Sequence, residues 1–180
     1  MMNNYYGELI DSIELEEFIM ELYRRDLSLF TGEFSKYFCT IVIKNKIGVI
    51  IAAIKTSDVE IVNLLDNIYF YMETKSDTMY SFAMDNESIY YTISLNAYVP
   101  YIDGIMKDIP NVKHYMIVYN TRFTQVDSSM KIICRMDITD KIEEICNKLY
   151  NAYVASSDME YNTIYAMNPV YHFYDLKVKN

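Results

Sequence analysis

The chain has 180 residues, 52% of them hydrophobic, with 25 acidic against 16 basic side chains and a net charge of −9. That length fits one domain, 1–180, whose core can bury roughly 70% of the surface the unfolded chain exposes. Arginine occurs only at Arg24, Arg25, Arg122 and Arg135, which disfavours direct contact with nucleic acid or an anionic membrane, because both select for clustered basic side chains.

Asp11-Ser12-Ile13-Glu14 has the spacing of a helix capping box. Leu15, Phe18, Ile19 and Leu22 recur behind it at helical spacing, which predicts a helix over 12–29 that breaks at Thr31-Gly32. Residues 36–44 and 48–55 are β-branched and apolar around a polar Asn45-Lys46 turn, the pattern of a hairpin. The run 47–54 is apolar on both faces, so its strand is expected in the middle of a sheet. Ser57-Asp58-Val59-Glu60 is a second capping box, followed by the amphipathic stripe Ile61, Leu64, Leu65 and Ile68.

Strands are expected at 69–73, 79–84 and 88–95, joined by the turn-forming Lys75-Ser76-Asp77 and Asp85-Asn86-Glu87. Pro100 suits the first turn of a third helix, which presents Tyr101, Ile102, Ile105 and Met106 and ends at Pro110. Segments 112–120 and 129–136 read as a second hairpin. Asp137 or Thr139 caps a fourth helix carrying the clearest apolar stripe: Ile142, Ile145, Cys146, Leu149 and Tyr153. Two more strands, 163–167 and 171–178, are split by Asn168-Pro169.

The expected fold class is therefore α+β: one domain with a mainly antiparallel mixed sheet and about four helices. An αββαβ run occurs twice, a weak sign of duplication. The first-half order α-β-β-α-β-β-β-α resembles that of roadblock-type and profilin-like scaffold domains. That resemblance of order would leave a ββαβ extension at the C-terminus.

Most chemical signatures are missing. Gly7, Gly32, Gly48 and Gly104 are isolated, so no phosphate-cradling loop can form. No GxSxG elbow occurs. His114, His172, Cys39, Cys134 and Cys146 show no metal-ligand spacing, and no cofactor is implied. An enzyme using a Cys–His or Asp/Glu pair is the third-ranked reading, and no catalytic residue is assigned. An odd set of cysteines without CxxC, and an N-terminus without a signal-peptide pattern, point to a reducing, intracellular, cytoplasmic setting. No apolar run reaches membrane-spanning length.

Ile, Asn, Tyr, Met and Lys are common, and most have AT-rich codons, which suggests a viral, phage, mobile-element or low-GC bacterial gene. Tyrosine is the strongest anomaly, with 19 Tyr, 8 Phe and no Trp. Its large, stiff ring with a polar tip suits interfaces. Acidic residues crowd two places, Glu14, Glu16, Glu17 and Glu21, and then Asp137, Asp140, Glu143 and Glu144.

The leading expectation is a non-enzymatic interaction or inhibitory accessory protein that docks through an acidic, Tyr-rich face. Tyr90, Tyr98, Tyr101, Tyr171 and Tyr174 are the expected contacts, with Glu17 and Glu21 as acidic rim. The partner is a protein, with a basic surface the favoured kind, and self-association into a homodimer is expected. The alternative is a nucleotide-like small-ligand module in which tyrosines stack on a base and Lys113, Arg122 and Arg135 supply charge.

Overall fold

The computed structural model describes residues 6–24, 39–74, 76–83, 89–98, 112–123 and 128–156. Within them the order is β1 (Glu8–Glu14), β2 (Phe18–Arg24), β3 (Cys39–Asn45), β4 (Ile50–Thr56), α1 (Asp58–Thr74), β5 (Thr78–Ala83), β6 (Ile89–Tyr98), β7 (Lys113–Phe123), β8 (Ser128–Asp137) and α2 (Ile142–Ser156). Two four-stranded antiparallel sheets result, ordered β1-β2-β3-β4 and β5-β6-β7-β8. The class is α+β. Two helices are described, and the expected third helix after Pro100 and the strands after Ser156 fall outside the described residues.

The expected first helix is instead the β1–β2 hairpin. Ile13 and Leu15, then Met20 and Leu22, alternate inward across it and are buried. Alternation along each arm, interrupted by a turn at 15–18, imitates helical spacing when read straight through. Pairing of β2 with β3 then decides the matter, because a helix could not complete that ladder. This hairpin also removes the roadblock-type order. The repeated unit is ββββα, in place of the expected αββαβ.

The second capping box forms as read. The Ser57 hydroxyl accepts the Glu60 N–H at 3.2 Å, and the Glu60 carboxylate accepts the Ser57 N–H at 2.8 Å. The helix then runs on through the segment expected as a strand at 69–73, because Ile61, Leu64, Leu65 and Ile68 continue into Tyr71 as one buried side. The β3–β4 and β7–β8 hairpins lie where expected.

Each helix packs beneath the other unit's sheet. From α1, Tyr71 bonds His114 of β7 at 2.8 Å and Asn63 bonds the Tyr80 hydroxyl of β5 at 3.3 Å. From α2, the Lys148 ammonium donates to the Ser12 carbonyl at 2.6 Å and sits 3.3 Å from Asp11, both on β1. The helices also pack on each other, and one apolar cluster joins both sheets and both helices through Ile41, Ile54, Leu64, Ile68, Val118, Met136, Leu149 and Tyr153.

His114 ties three elements together. Its Nδ1 meets Tyr71, its N–H donates to the Thr139 hydroxyl at 3.0 Å, and its carbonyl accepts the Ile138 N–H at 2.9 Å.

Among the described residues four strands are sheet edges, and three of them carry a bulge. The extra residues are Ile10, Ile51 and Ile133, on β1, β4 and β8, and all three pack against the core. The strand expected at a sheet centre, β4, is one of these edges. The central, doubly buried strand is its neighbour β3, where Cys39, Thr40, Ile41, Val42 and Ile43 are all buried.

Truncating a shared-core side chain tests this arrangement. Leu149→Ala should destabilise by about 2–5 kcal/mol in urea unfolding, as a fully enclosed cavity does. Both sheets should melt in that one transition, because the core is common to them.

Candidate interaction site

Register places two turns at one end of the first sheet, since Phe18 at the start of β2 pairs with Asn45 at the end of β3. The β3–β4 turn, Lys46-Ile47-Gly48, is held by four hydrogen bonds centred on Asn45. Its side-chain oxygen accepts the N–H groups of Ile47 (3.2 Å) and Val49 (2.8 Å). Its own N–H donates to the Val49 carbonyl, and its carbonyl accepts the Gly48 N–H. Gly48 has φ 91°, the left-handed geometry that a three-residue hairpin loop requires.

This rigid tip displays apolar side chains. Ile47 is 84% exposed, Val49 52% and Ile50 44%. These residues belong to the run 47–54, whose strand is expected in the middle of a sheet. Gly48 was the signal that the turn reaches two residues further than Asn45-Lys46, and that the first aliphatics of the run lie on a loop.

Beside the tip, the β1–β2 turn closes with the Leu15 N–H on the Phe18 carbonyl at 2.8 Å and leaves Glu16 and Glu17 exposed. Lys46 on the tip lies 4.0 Å from Glu14, which links the two turns. A cleft of about 220 Å³ separates the acidic turn from the second sheet and is lined by Leu15, Glu16, Glu17, Phe18, Tyr115, Arg135, Met136 and Asp137. The Arg135 guanidinium lies 3.7 Å over the Tyr115 ring, a cation–π contact. Burial pushes the Asp137 carboxyl upward, but bonds from the Thr139 hydroxyl and N–H, with Lys113 and Arg135 nearby, hold it below its ordinary value.

This geometry limits the nucleotide-like reading. The one guanidinium in the cleft covers the tyrosine face that a base would need. Three carboxylates around it oppose a phosphate.

The expected contact residues separate. Glu17 lines the cleft. Tyr98, 56% exposed, ends β6 two residues beyond Asn96, the partner of Tyr115, so it lies on the same outer face. Glu21 lies within β2, bonded to Lys44 at 2.7 Å and to the Tyr23 hydroxyl at 2.6 Å, so its charge is already matched. The backbone of Tyr90 pairs with Ala83 and Thr121 within the second sheet. Tyr101, Tyr171 and Tyr174 fall outside the described residues.

The thiols are poorly set for nucleophilic chemistry. Burial pushes Cys39 up to about 12 and Cys134 up to about 11, and Cys146 is also buried. Among the described residues no three His, Cys, Asp or Glu side chains converge as a metal site, and no helix is long and apolar enough to cross a membrane.

Two measurements follow. Alkylation of the native protein at pH 8 should label Cys39 and Cys134 far more slowly than in urea, read by mass spectrometry. Asp137 has a folded pKa below its unfolded value. Its contribution is therefore complete above the ordinary carboxylate range and is lost as pH falls through the folded value. Asp137→Asn should flatten that acid limb of the stability profile, measured by thermal unfolding between pH 2 and 7, each pH being about half a unit apart.

Comparison of the chain with protein-family models, with curated proteins and with solved structures found no match.

Proposed function

We propose that the chain is a non-enzymatic protein-binding module that inserts the β3–β4 tip into an apolar pocket on a partner. The exposure of Ile47 on a hydrogen-bonded turn carries this reading. A large aliphatic side chain held in water is an unrealised gain of about 1.5–3 kcal/mol on burial. A turn that is already ordered loses little entropy when it docks.

Glu16 and Glu17 flank the tip and suit a basic rim around the partner's pocket, which would steer encounter with a chain of net charge −9. Such docking supports an accessory or inhibitory role in which a partner surface is occluded. A membrane is the less suitable acceptor for the same tip, because the neighbouring carboxylates repel anionic headgroups. The codon-linked composition is consistent with a viral, phage or mobile-element source and an intracellular setting.

Ile47 and Val49 point into solvent, so Ile47→Asp with Val49→Asp should leave the unfolding midpoint nearly unchanged. The double variant should lose at least about tenfold in affinity for the partner, since charges replace two buried contacts. Partner capture from source-cell lysate, quantified against the wild-type chain, reads this. Glu16→Lys with Glu17→Lys should slow association and weaken its salt dependence. Undiminished capture by the tip variant would sink the reading, and tip-dependent binding to protein-free vesicles would replace it with a membrane role.

A further inference from the structure

We infer that β5 is a pairing edge for a second copy of this chain. Among the described residues the other sheet edges are all interrupted. A sheet edge invites pairing unless bulges, charges or proline interrupt it. In β1 a bulge at Ile10 is accompanied by Glu8, Asp11 and Glu14. In β4 the bulge at Ile51 is accompanied by Lys55. In β8 the bulge at Ile133 is accompanied by Lys131, Arg135 and Asp137. The β5 strand, Thr-Met-Tyr-Ser-Phe-Ala, has no charge, no proline and no bulge, and its register with β6 is unbroken.

The outward backbone groups can be named. The Ala97 N–H donates to Asp77 at 3.0 Å, on the β5 side of β6. Peptide groups alternate sides along a strand, so Leu95, Ile93 and Tyr91 also face β5. Their partners Thr78, Tyr80 and Phe82 use their own N–H and C=O groups toward β6. Met79, Ser81 and Ala83 therefore aim theirs away from the sheet.

That outward set is symmetric about Ser81. In a two-fold antiparallel pairing, Ser81 faces Ser81 of the second copy and Met79 faces its Ala83. Each is a closely spaced pair, for about six backbone hydrogen bonds in all. No charge lies on the six residues of the strand, so within it no like charges oppose one another. The joined sheets would have eight strands, with 56%-exposed Met79 at the seam. A dimer would also present two β3–β4 tips, which raises avidity for a partner with repeated sites. The pairing itself does not depend on the tip's role.

Sedimentation velocity of the full chain across a concentration series reads the pairing. A concentration-dependent dimer is expected. Ser81→Pro, which removes an N–H that β6 does not use, and Met79→Lys, which adds the usual edge charge, should each raise the dimer Kd by at least about tenfold. Circular dichroism checks that each variant folds. A short bismaleimide should join Ser81→Cys chains into covalent dimers, while Leu9→Cys on the β1 edge should remain uncoupled. The native thiols are buried and give little background. A monomer at every concentration overturns the proposal. So does a dimer that both edge variants leave intact, or equal coupling at Leu9→Cys. Pairing of β5 with an added extended peptide, by a chain that stays monomeric, also overturns it.

Discussion

The structure depends on the exchange of helices between its two ββββα units. A four-stranded sheet has one face to bury, and a helix has one stripe. Here α1 lies against the second sheet and α2 against the first, so neither unit closes its own core. Tyr71, Leu149 and Tyr153 are fully enclosed because the other half of the chain covers them. Polar bonds reinforce the exchange, with Tyr71–His114 on one side and Lys148–Ser12 on the other. The half-buried ion pairs around Lys148 are still open to water and add little alone. The buried bond at His114 matters more, because leaving either partner unsatisfied carries a penalty of about 1–3 kcal/mol.

This core also explains the edges. Among the described residues β1, β4 and β8 are sheet edges, and an isoleucine bulge in each turns one more aliphatic inward while interrupting the ladder. Two features of the surface stand out beside this core. The β3–β4 tip leaves Ile47 84% exposed, and the uncharged β5 leaves Met79 56% exposed. Both are positioned by the ladders behind them, and the association proposed for them would use that surface.

The acidic character has a similar division. Glu21 and Glu144 are matched by Lys44 and by Lys141 and Lys148, and belong to the fold. Glu16 and Glu17 stand at the turn beside the tip. Net charge counted along the chain cannot separate these groups, because the pairing of Glu21 with Lys44 is made across strands distant in sequence.

Local chemistry was legible where the responsible atoms are neighbours in sequence. The Ser57–Glu60 box and the stripe of α2 depend on residues a few positions apart, so their pattern was enough. Asp11-Ser12-Ile13-Glu14 has the same spelling as Ser57–Glu60 and forms a strand, because β2 and β3 supply a ladder that no local pattern reveals. The α+β class, the acidity and the absence of common nucleotide and nucleophile motifs could be read from the chain alone. Which helix covers which sheet, which strand is an edge, and which aliphatics of the run from Ile47 to Ile54 meet water were decided only in three dimensions. Those outcomes depend on contacts between residues tens of positions apart, whose free energy appears only once both partners are in place.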